Sequence, residues 1–199
     1  MINAAEQTRP DVIEKREEWK KFIQEANPEK LVFLDESGVN IGLTRNYGRS
    51  IGKTRVVDYL PFNRPVRTTV VSSIRLNGQY CYDIIDGAMN KEHFKKYIRK
   101  LIKTLKSGDI VIMDNLSSHK GKEIEEMVKT AGATVKYLPP YSPDFNPIEM
   151  LWSKMKSYLK KWKIRKKELL PRGIVLALSK FTISDCLGWF KSCGFCYQF

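Results

Sequence analysis

Hydrophobic residues along the chain follow two patterns, and each predicts a different kind of element. Short apolar runs that end in polar residues or glycine are typical of buried strands. Such runs occur in LVFLDESG, in both halves of VRTTVVSSIRLNGQYCYDIID, in DIVIM and in ATVKYLP. Asn77–Gly78 predicts a hairpin between the two halves of the long segment. GLTRNYGRSIGKTRVV alternates between glycines and predicts a further, early hairpin.

Longer stretches carry apolar residues at helical spacing and predict amphipathic helices. One covers residues 11–27, and others lie in MNKEHFKKYIRKLIKTLKSG, in HKGKEIEEMVKTAG and after NPIE. Two shorter helices are predicted beyond about residue 164, the second beginning near TISD with Ser184 as its N-cap.

The order of these elements predicts an α/β fold. Apolar strands separated by helices indicate that the later part of the sheet is parallel. We therefore predict a mixed sheet, with three antiparallel strands followed by two parallel strands, flanked by helices. We divide the chain into an N-terminal amphipathic helix and linker (1–29), a main domain (30–165) and a C-terminal helical extension (166–199).

The charge of the chain favours a polyanionic partner. Lys and Arg number 35 against 22 Asp and Glu, which gives a net charge of +13. Nucleic acid is the commonest such partner, although an ordinary basic protein would show the same balance. Apolar runs such as IVLAL are too short to span a bilayer, and the N-terminus has no apolar signal region. We expect no membrane association.

Four cysteines occur, and two of them form the C-x-x-C sequence Cys193–Cys196. This spacing is found in zinc and redox motifs. No second pair or histidine lies nearby in the sequence to complete a zinc site, so reduced thiols in a cytosolic protein are the preferred interpretation.

Two predicted strands end in an aspartate, at Asp35 in FLDES and at Asp114 in IMDNL. Carboxylates at the carboxyl edge of a buried sheet are a common way to build a site. Aspartate also ends strands simply because it suits turns. The topology allows the two strands to be neighbours, which would bring the two carboxylates together.

Glu149 is the third candidate acid. It follows LPPYSPDFNP, in which four prolines within ten residues make a stiff connector that aims the next helix. Asn146 at the N-cap, Pro147 at the first helical position and Glu149 at the third also have the spacing of a capping box. Spacing alone does not separate that role from metal binding.

The helix after the connector has an apolar stripe with Glu149 beside it. Lys156, Lys160 and Lys163 lie on the flank of Glu149 and could track phosphates, although a solvated lysine face explains them almost as well. Trp152 and Trp162 lie in the stripe and are interpreted as core residues, not as base-stacking residues.

Three converging carboxylates suit hard divalent cations. Mg²⁺ takes a few carboxylate oxygens and keeps other positions for water and phosphate. Two ions roughly 3.5–4 Å apart can support in-line phosphoryl displacement. With the basic charge, a nucleic-acid backbone is the expected substrate.

LDESG, MDNLSSHK and LPPYSPDFNPIEMLW together resemble the DDE transposases of the mariner superfamily, particularly their bacterial insertion-sequence branch. The likeness covers about residues 30–165 and implies a ribonuclease-H-like fold. It also implies that Asp35, Asp114 and Glu149 hold two Mg²⁺ ions, with Mn²⁺ as a substitute. Such enzymes hydrolyse DNA at transposon ends and use the freed 3′-OH to attack target DNA, commonly at TA.

The resemblance implies double-stranded DNA as partner, at transposon ends and target, a homodimer in the active complex, and a cytoplasmic, nucleoid-associated location in bacteria. About 29 residues precede the first predicted strand, too few for the family's two helix-turn-helix units. We therefore expect those units on a separately encoded polypeptide or a longer parent protein.

Further residues are candidates around the three acids. Glu36 and Asn115 adjoin the aspartates and could orient them, and His119 could lie near the site or be structural. Basic residues of the predicted early hairpin could contact phosphate or be merely solvated: Arg45, Arg49, Lys53 and Arg55.

Two other functions remain open. One is a ribonuclease-H-like nuclease that only hydrolyses, and the other is a non-catalytic remnant that binds DNA by charge or multimerises with a complete transposase. Retention of all three acids favours the enzyme.

Overall fold

A five-stranded mixed sheet forms the centre of the protein. The computed structural model describes residues 5–52, 54–60, 67–114 and 121–195. The sheet order is β3-β2-β1-β4-β5, with β1 antiparallel to β2 and parallel to β4. The strands are β1 Leu31–Val39, β2 Thr68–Ile74, β3 Tyr80–Asp86, β4 Ile110–Met113 and β5 Thr134–Tyr137. The predicted arrangement of three antiparallel and two parallel strands is confirmed.

Helices cover both faces of this sheet, which explains why the central strands are apolar almost throughout. Phe33 and Ile112 pack with α1, α4, α5 and α6 on one face, whereas Val32, Leu34 and Val111 pack with α2 and α3 on the other. The helices are α1 Pro10–Glu25, α2 Lys91–Leu101, α3 Lys122–Lys129, α4 Ile148–Trp162, α5 Leu170–Leu178 and α6 Ile183–Ser192.

The hairpin predicted at Asn77–Gly78 is present. The β2–β3 ladder runs to the pair Ile74 and Tyr80, and the amide of Arg75 donates to the carbonyl of Gln79. Gly78 adopts a φ of 80°, in the left-handed region that the turn requires and that glycine enters at little cost.

The early hairpin predicted from GLTRNYGRSIGKTRVV is wrong for the described part of that segment. Residues 40–52 and 54–60 contain no strand, and β1 instead continues through Gly38 to Val39. Both edges of β1 are already paired, to β2 and β4, and glycines weaken strand formation. Leu43, near the start of the segment, packs against the core, whereas Tyr47 and Ile51 are more than 90% exposed.

The start of the last helix also differs from the prediction. Thr182, not Ser184, is the N-cap of α6, and it forms a capping box with Asp185. The threonine hydroxyl accepts from the amide of Asp185 at 3.2 Å, and the carboxylate accepts from the amide of Thr182 at 2.6 Å. This reciprocal pair satisfies two amides that Ser184 would leave unbonded.

Among the described residues, no single helix is long and apolar enough to cross a membrane. The pair Lys167–Leu178 and Ile183–Ser192 passes a test of length and composition only when taken together, and it is bent by 80°. Leu170, Ile174 and Phe190 of this pair are buried in the core.

Candidate active site

The strand register brings Asp35 and Asp114 to the same position at the sheet edge. The parallel ladder of β1 and β4 ends with Leu34 opposite Met113, so the two aspartates come next on neighbouring strands. Leu34 and Met113 face the α2–α3 side, and because side chains alternate, both aspartates are directed to the opposite face. Asp35 lies within β1, not at its end as predicted, because β1 continues along β2 after β4 stops.

Helix α4 covers that face and supplies Glu149 in its first turn. The predicted capping box does not form. Pro147 occupies the N-cap position without a side-chain hydrogen bond, and the amide of Glu149 donates to the carbonyl of Asn146 at 3.1 Å. The side-chain oxygen of Asn146 is buried without a hydrogen-bond partner among the described residues. The Glu149 carboxylate is therefore not used as a cap.

The three acids line one pocket of about 460 Å³. Its other wall is the stiff connector, so the prolines shape the site as well as directing α4. The connector residues that line it are Leu138, Pro139, Pro140, Tyr141, Ser142, Pro143 and Asn146.

The pocket disfavours negative charge. Burial, with smaller contributions from the charges of Glu149 and Asp114, raises the pKa of Asp35 to about 7, although hydrogen bonds from Glu36 and Trp152 oppose the shift. Desolvation and the charge of Asp114 also raise the pKa of Glu149, against the opposing charge of Lys156. A bound cation would stabilise the charged form of these carboxylates and so offset the cost of burying them.

This donor set fits a hard divalent cation, because it consists of carboxylate oxygens in mutual repulsion. Within the part of the chain that the structure describes, no three His, Cys, Asp or Glu side chains are grouped so that they could hold an ion without adjustment. Glu149 is the most exposed of the three acids, and Asp35 and Asp114 are half-buried.

Two residues contact the site or its connector in ways that the sequence did not predict. Trp152 is a core residue as predicted, 2% exposed, but its Nε1 also donates to Oδ2 of Asp35 at 3.2 Å. Its spacing of three from Glu149 was the available signal. Arg16 of α1 has no such signal, because 128 positions separate it from its partner Asp144.

Arg16 fastens the connector to the N-terminal helix. Its guanidinium donates to both carboxylate oxygens of Asp144, at 2.7 and 3.0 Å, and to the hydroxyl of Ser142 at 2.7 Å. It also lies 4.4 Å from the ring centroid of Phe145. Bidentate pairing of this kind fixes geometry as well as charge.

The lysines predicted on the flank of Glu149 differ in their surroundings. Lys156 is near enough for its charge to lower the pKa of Glu149. Lys160 is half-buried on α4. Lys163 lies just beyond the helix with a φ of 50°, and its ammonium donates to Asp58 at 2.9 Å, so it is already paired.

The other predicted residues are more scattered. The backbone amide of Glu36 donates to Oδ1 of Asp35 at 2.7 Å, and a role for the Glu36 side chain stays a prediction. Arg45, Arg49 and Arg55 are exposed on the irregular segment, residues 40–52 and 54–60, and do not line the acid pocket. The predictions for Lys53, Asn115 and His119 lie outside the described residues.

The cysteines show no prepared reactive site in the described chain. Cys81, Cys186 and Cys193 are buried free thiols, and burial raises the pKa of Cys193 to about 12. A thiol so rarely ionised is a poor nucleophile and metal ligand. Cys196 lies outside the described residues.

Comparison with known proteins adds a family and a fold. The family model described as DDE superfamily endonuclease matches residues 30–170, more than two thirds of the chain. No curated protein matches the sequence.

Solved structures of Mos1 mariner transposase share the fold, which confirms the predicted ribonuclease-H-like class. The paired-end complex with Mg aligns with a TM-score of 0.77 at 14% identity, covering 97% of this chain and 60% of that one. The catalytic domain alone aligns with a TM-score of 0.66 at 14% identity, covering 96% and 90%. The chain thus spans about 60% of the Mos1 chains in the paired-end complexes.

Proposed function

The chain belongs to the DDE superfamily endonuclease family, and from that premise we propose that it is the catalytic domain of a transposase. The proposed reaction is hydrolysis of the phosphodiester at transposon ends, followed by attack of the freed 3′-OH on target DNA. The observation that carries this proposal is the meeting of Asp35, Asp114 and Glu149 in one pocket.

The three carboxylates would hold Mg²⁺, or Mn²⁺ in its place. Two such ions would supply activation of the attacking oxygen and stabilisation of the leaving oxygen in an in-line displacement. Mos1 structures with Mg and with Mn support this choice by analogy of fold. In this chain, the amide of Glu36 and the indole of Trp152 hold the two oxygens of Asp35, and Glu149 lines the same pocket from α4.

Water or a 3′-OH is the proposed nucleophile, and no side chain needs to attack. Ser142 is one of two hydroxyl-bearing residues of the pocket, with Tyr141, and its hydroxyl accepts from Arg16 and donates to the carbonyl of Pro140 at 3.0 Å. This pair of bonds keeps the hydroxyl in the connector and away from a substrate phosphate.

Double-stranded DNA is the proposed partner. The net charge of +13 supports it, as does a Mos1 complex that contains a left transposon end. Lys156 and Lys160 on α4, and Arg45, Arg49 and Arg55 on the irregular segment, are proposed to contact phosphates.

From the motif resemblance we further propose that the protein belongs to the bacterial insertion-sequence branch and that its target is TA. We also propose that the active complex is a homodimer and that the protein is nucleoid-associated. End recognition is assigned to helix-turn-helix units on a separate polypeptide or elsewhere in a longer protein.

The test is a nicking assay on supercoiled DNA with Mg²⁺ or Mn²⁺, comparing wild type with Glu149→Gln. Glutamine keeps the size of the side chain but is a poor ligand, so we expect nicking to fall by more than ~100-fold, beyond the loss typical for groups that only orient ligands. Glu126→Gln, at an exposed position of α3 on the other face of the sheet, is the matched control.

Product analysis completes this test. Joining of a labelled 3′-OH end to new DNA indicates a transposase, whereas cleavage without joining indicates a nuclease that only hydrolyses. Equal nicking by wild type and Glu149→Gln contradicts the three-acid site. Metal-independent DNA binding without nicking, when helix-turn-helix units are also supplied, indicates a non-catalytic remnant.

A further inference from the structure

Trp152 connects two of the three acids through one helix. It lies three residues after Glu149 on α4, about one turn along, and its indole N–H reaches Asp35 on β1. The side chain is 2% exposed and fixed among core residues. Its nitrogen is therefore a donor whose position is set by packing and not by solvent.

The two donors on Asp35 act on different oxygens. The amide of Glu36 holds Oδ1 at 2.7 Å and the indole of Trp152 holds Oδ2 at 3.2 Å. A carboxylate bound at both oxygens cannot rotate freely about its χ2 bond, yet each oxygen keeps a further lone pair for a ligand. With Glu36 alone, the carboxylate would be held at one oxygen only.

We propose that Trp152 is a positioning residue, whose indole N–H fixes the Asp35 carboxylate relative to Glu149 and so sets the affinity of the site for a divalent cation. The inference rests on the proposed function. Partners that orient metal ligands typically change metal affinity by about 10–100-fold when removed.

The chain offers a matched control in Trp19. This residue is 3% exposed, close to the value for Trp152, and packs in the same core cluster. Its Nε1 is buried without a hydrogen-bond partner among the described residues. Replacing either tryptophan with phenylalanine removes a similar part of a buried ring, but only Trp152→Phe removes a bond to the site.

The experiment measures Mn²⁺ binding to wild type, Trp152→Phe and Trp19→Phe by electron paramagnetic resonance of the free ion, after removal of metals with EDTA. We expect Trp152→Phe to weaken binding by about 10-fold or more and Trp19→Phe to stay within about 2-fold of wild type.

Three outcomes overturn the inference. Equal binding by the two phenylalanine variants overturns it alone. A wild type that binds no Mn²⁺ overturns the proposed metal site together with it. If Trp152→Phe does not fold, the indole N–H resonance of Trp152 is followed by NMR in the wild type. A shift of this resonance on adding Mg²⁺ that is larger than the shift of Trp19 supports the inference, and no shift overturns it.

Discussion

Replacing Asp35 with asparagine is expected to stabilise the metal-free protein at pH 8. Burial raises the pKa of Asp35 to about 7 in the folded chain, against 3.8 for an ordinary aspartate. The folded state therefore holds its proton more tightly than the unfolded state does. The contribution of Asp35 to the wild-type free energy of unfolding therefore falls as the pH rises from about 4 to 7 and is constant above that.

The size of the effect follows from the same two pKa values. At 1.36 kcal/mol for each pH unit, the difference between about 7 and 3.8 corresponds to a gain of up to about 4 kcal/mol for Asp35→Asn at pH 8. At pH 4 the group is protonated in the folded wild type and about half protonated in the unfolded state, so the gain should fall below about 1 kcal/mol. The comparison is between variant and wild type at each pH, which cancels the titration of other groups.

Urea unfolding in EDTA, followed by tryptophan fluorescence at pH 4 and pH 8, measures this gain. Asp58→Asn is the control, because the hydrogen bond from Lys163 lowers the pKa of Asp58 and asparagine there should give no gain at pH 8. An Asp35→Asn variant that unfolds with wild type at pH 8, or whose gain is equal at both pH values, would refute the reasoning. Added Mn²⁺ should reverse the order by stabilising only wild type.

Two further changes test the connector beside the site and an ion pair at the amino end of β4. Arg16→Lys keeps the charge but loses the two parallel hydrogen bonds to Asp144, so hydrogen exchange of the connector amides should become faster. Nicking by the folded variant should fall by about 10-fold. Unchanged exchange would mean that α1 does not hold the connector. Arg75→Met leaves Asp109, 1% exposed, without its 2.6 Å ion-pair partner. The free energy of unfolding in urea should fall by about 3–5 kcal/mol, and adding Asp109→Asn should restore part of it. A fall of under 1 kcal/mol would show that the pair contributes little to stability.

The strands and the two aspartates were predictable because local patterns determine them. Continuous apolar runs at β1 and β4 indicate strands buried on both faces, and a parallel neighbour relation places Asp35 beside Asp114. The position of Asp35 within β1 was not predictable, because it depends on β1 continuing along β2 after β4 has ended.

Contacts between distant parts of the chain explain the remaining differences. The segment GLTRNYGRSIGKTRVV alternates like a strand, but both edges of β1 are taken by other strands. The role of Trp152 depends on the distance from α4 to β1, and that of Arg16 on α1 lying against the connector. Sequence spacing describes one element at a time and contains neither of these distances.

The most direct test of the three-acid site is a crystal of the protein soaked in Mn²⁺ and measured for anomalous scattering. We predict peaks within ligand distance of the carboxylates of Asp35, Asp114 and Glu149, at about 2.0–2.3 Å as for hard divalent cations with oxygen ligands. A well-ordered pocket with no peak, or a peak that Glu149 does not contact, would contradict the account.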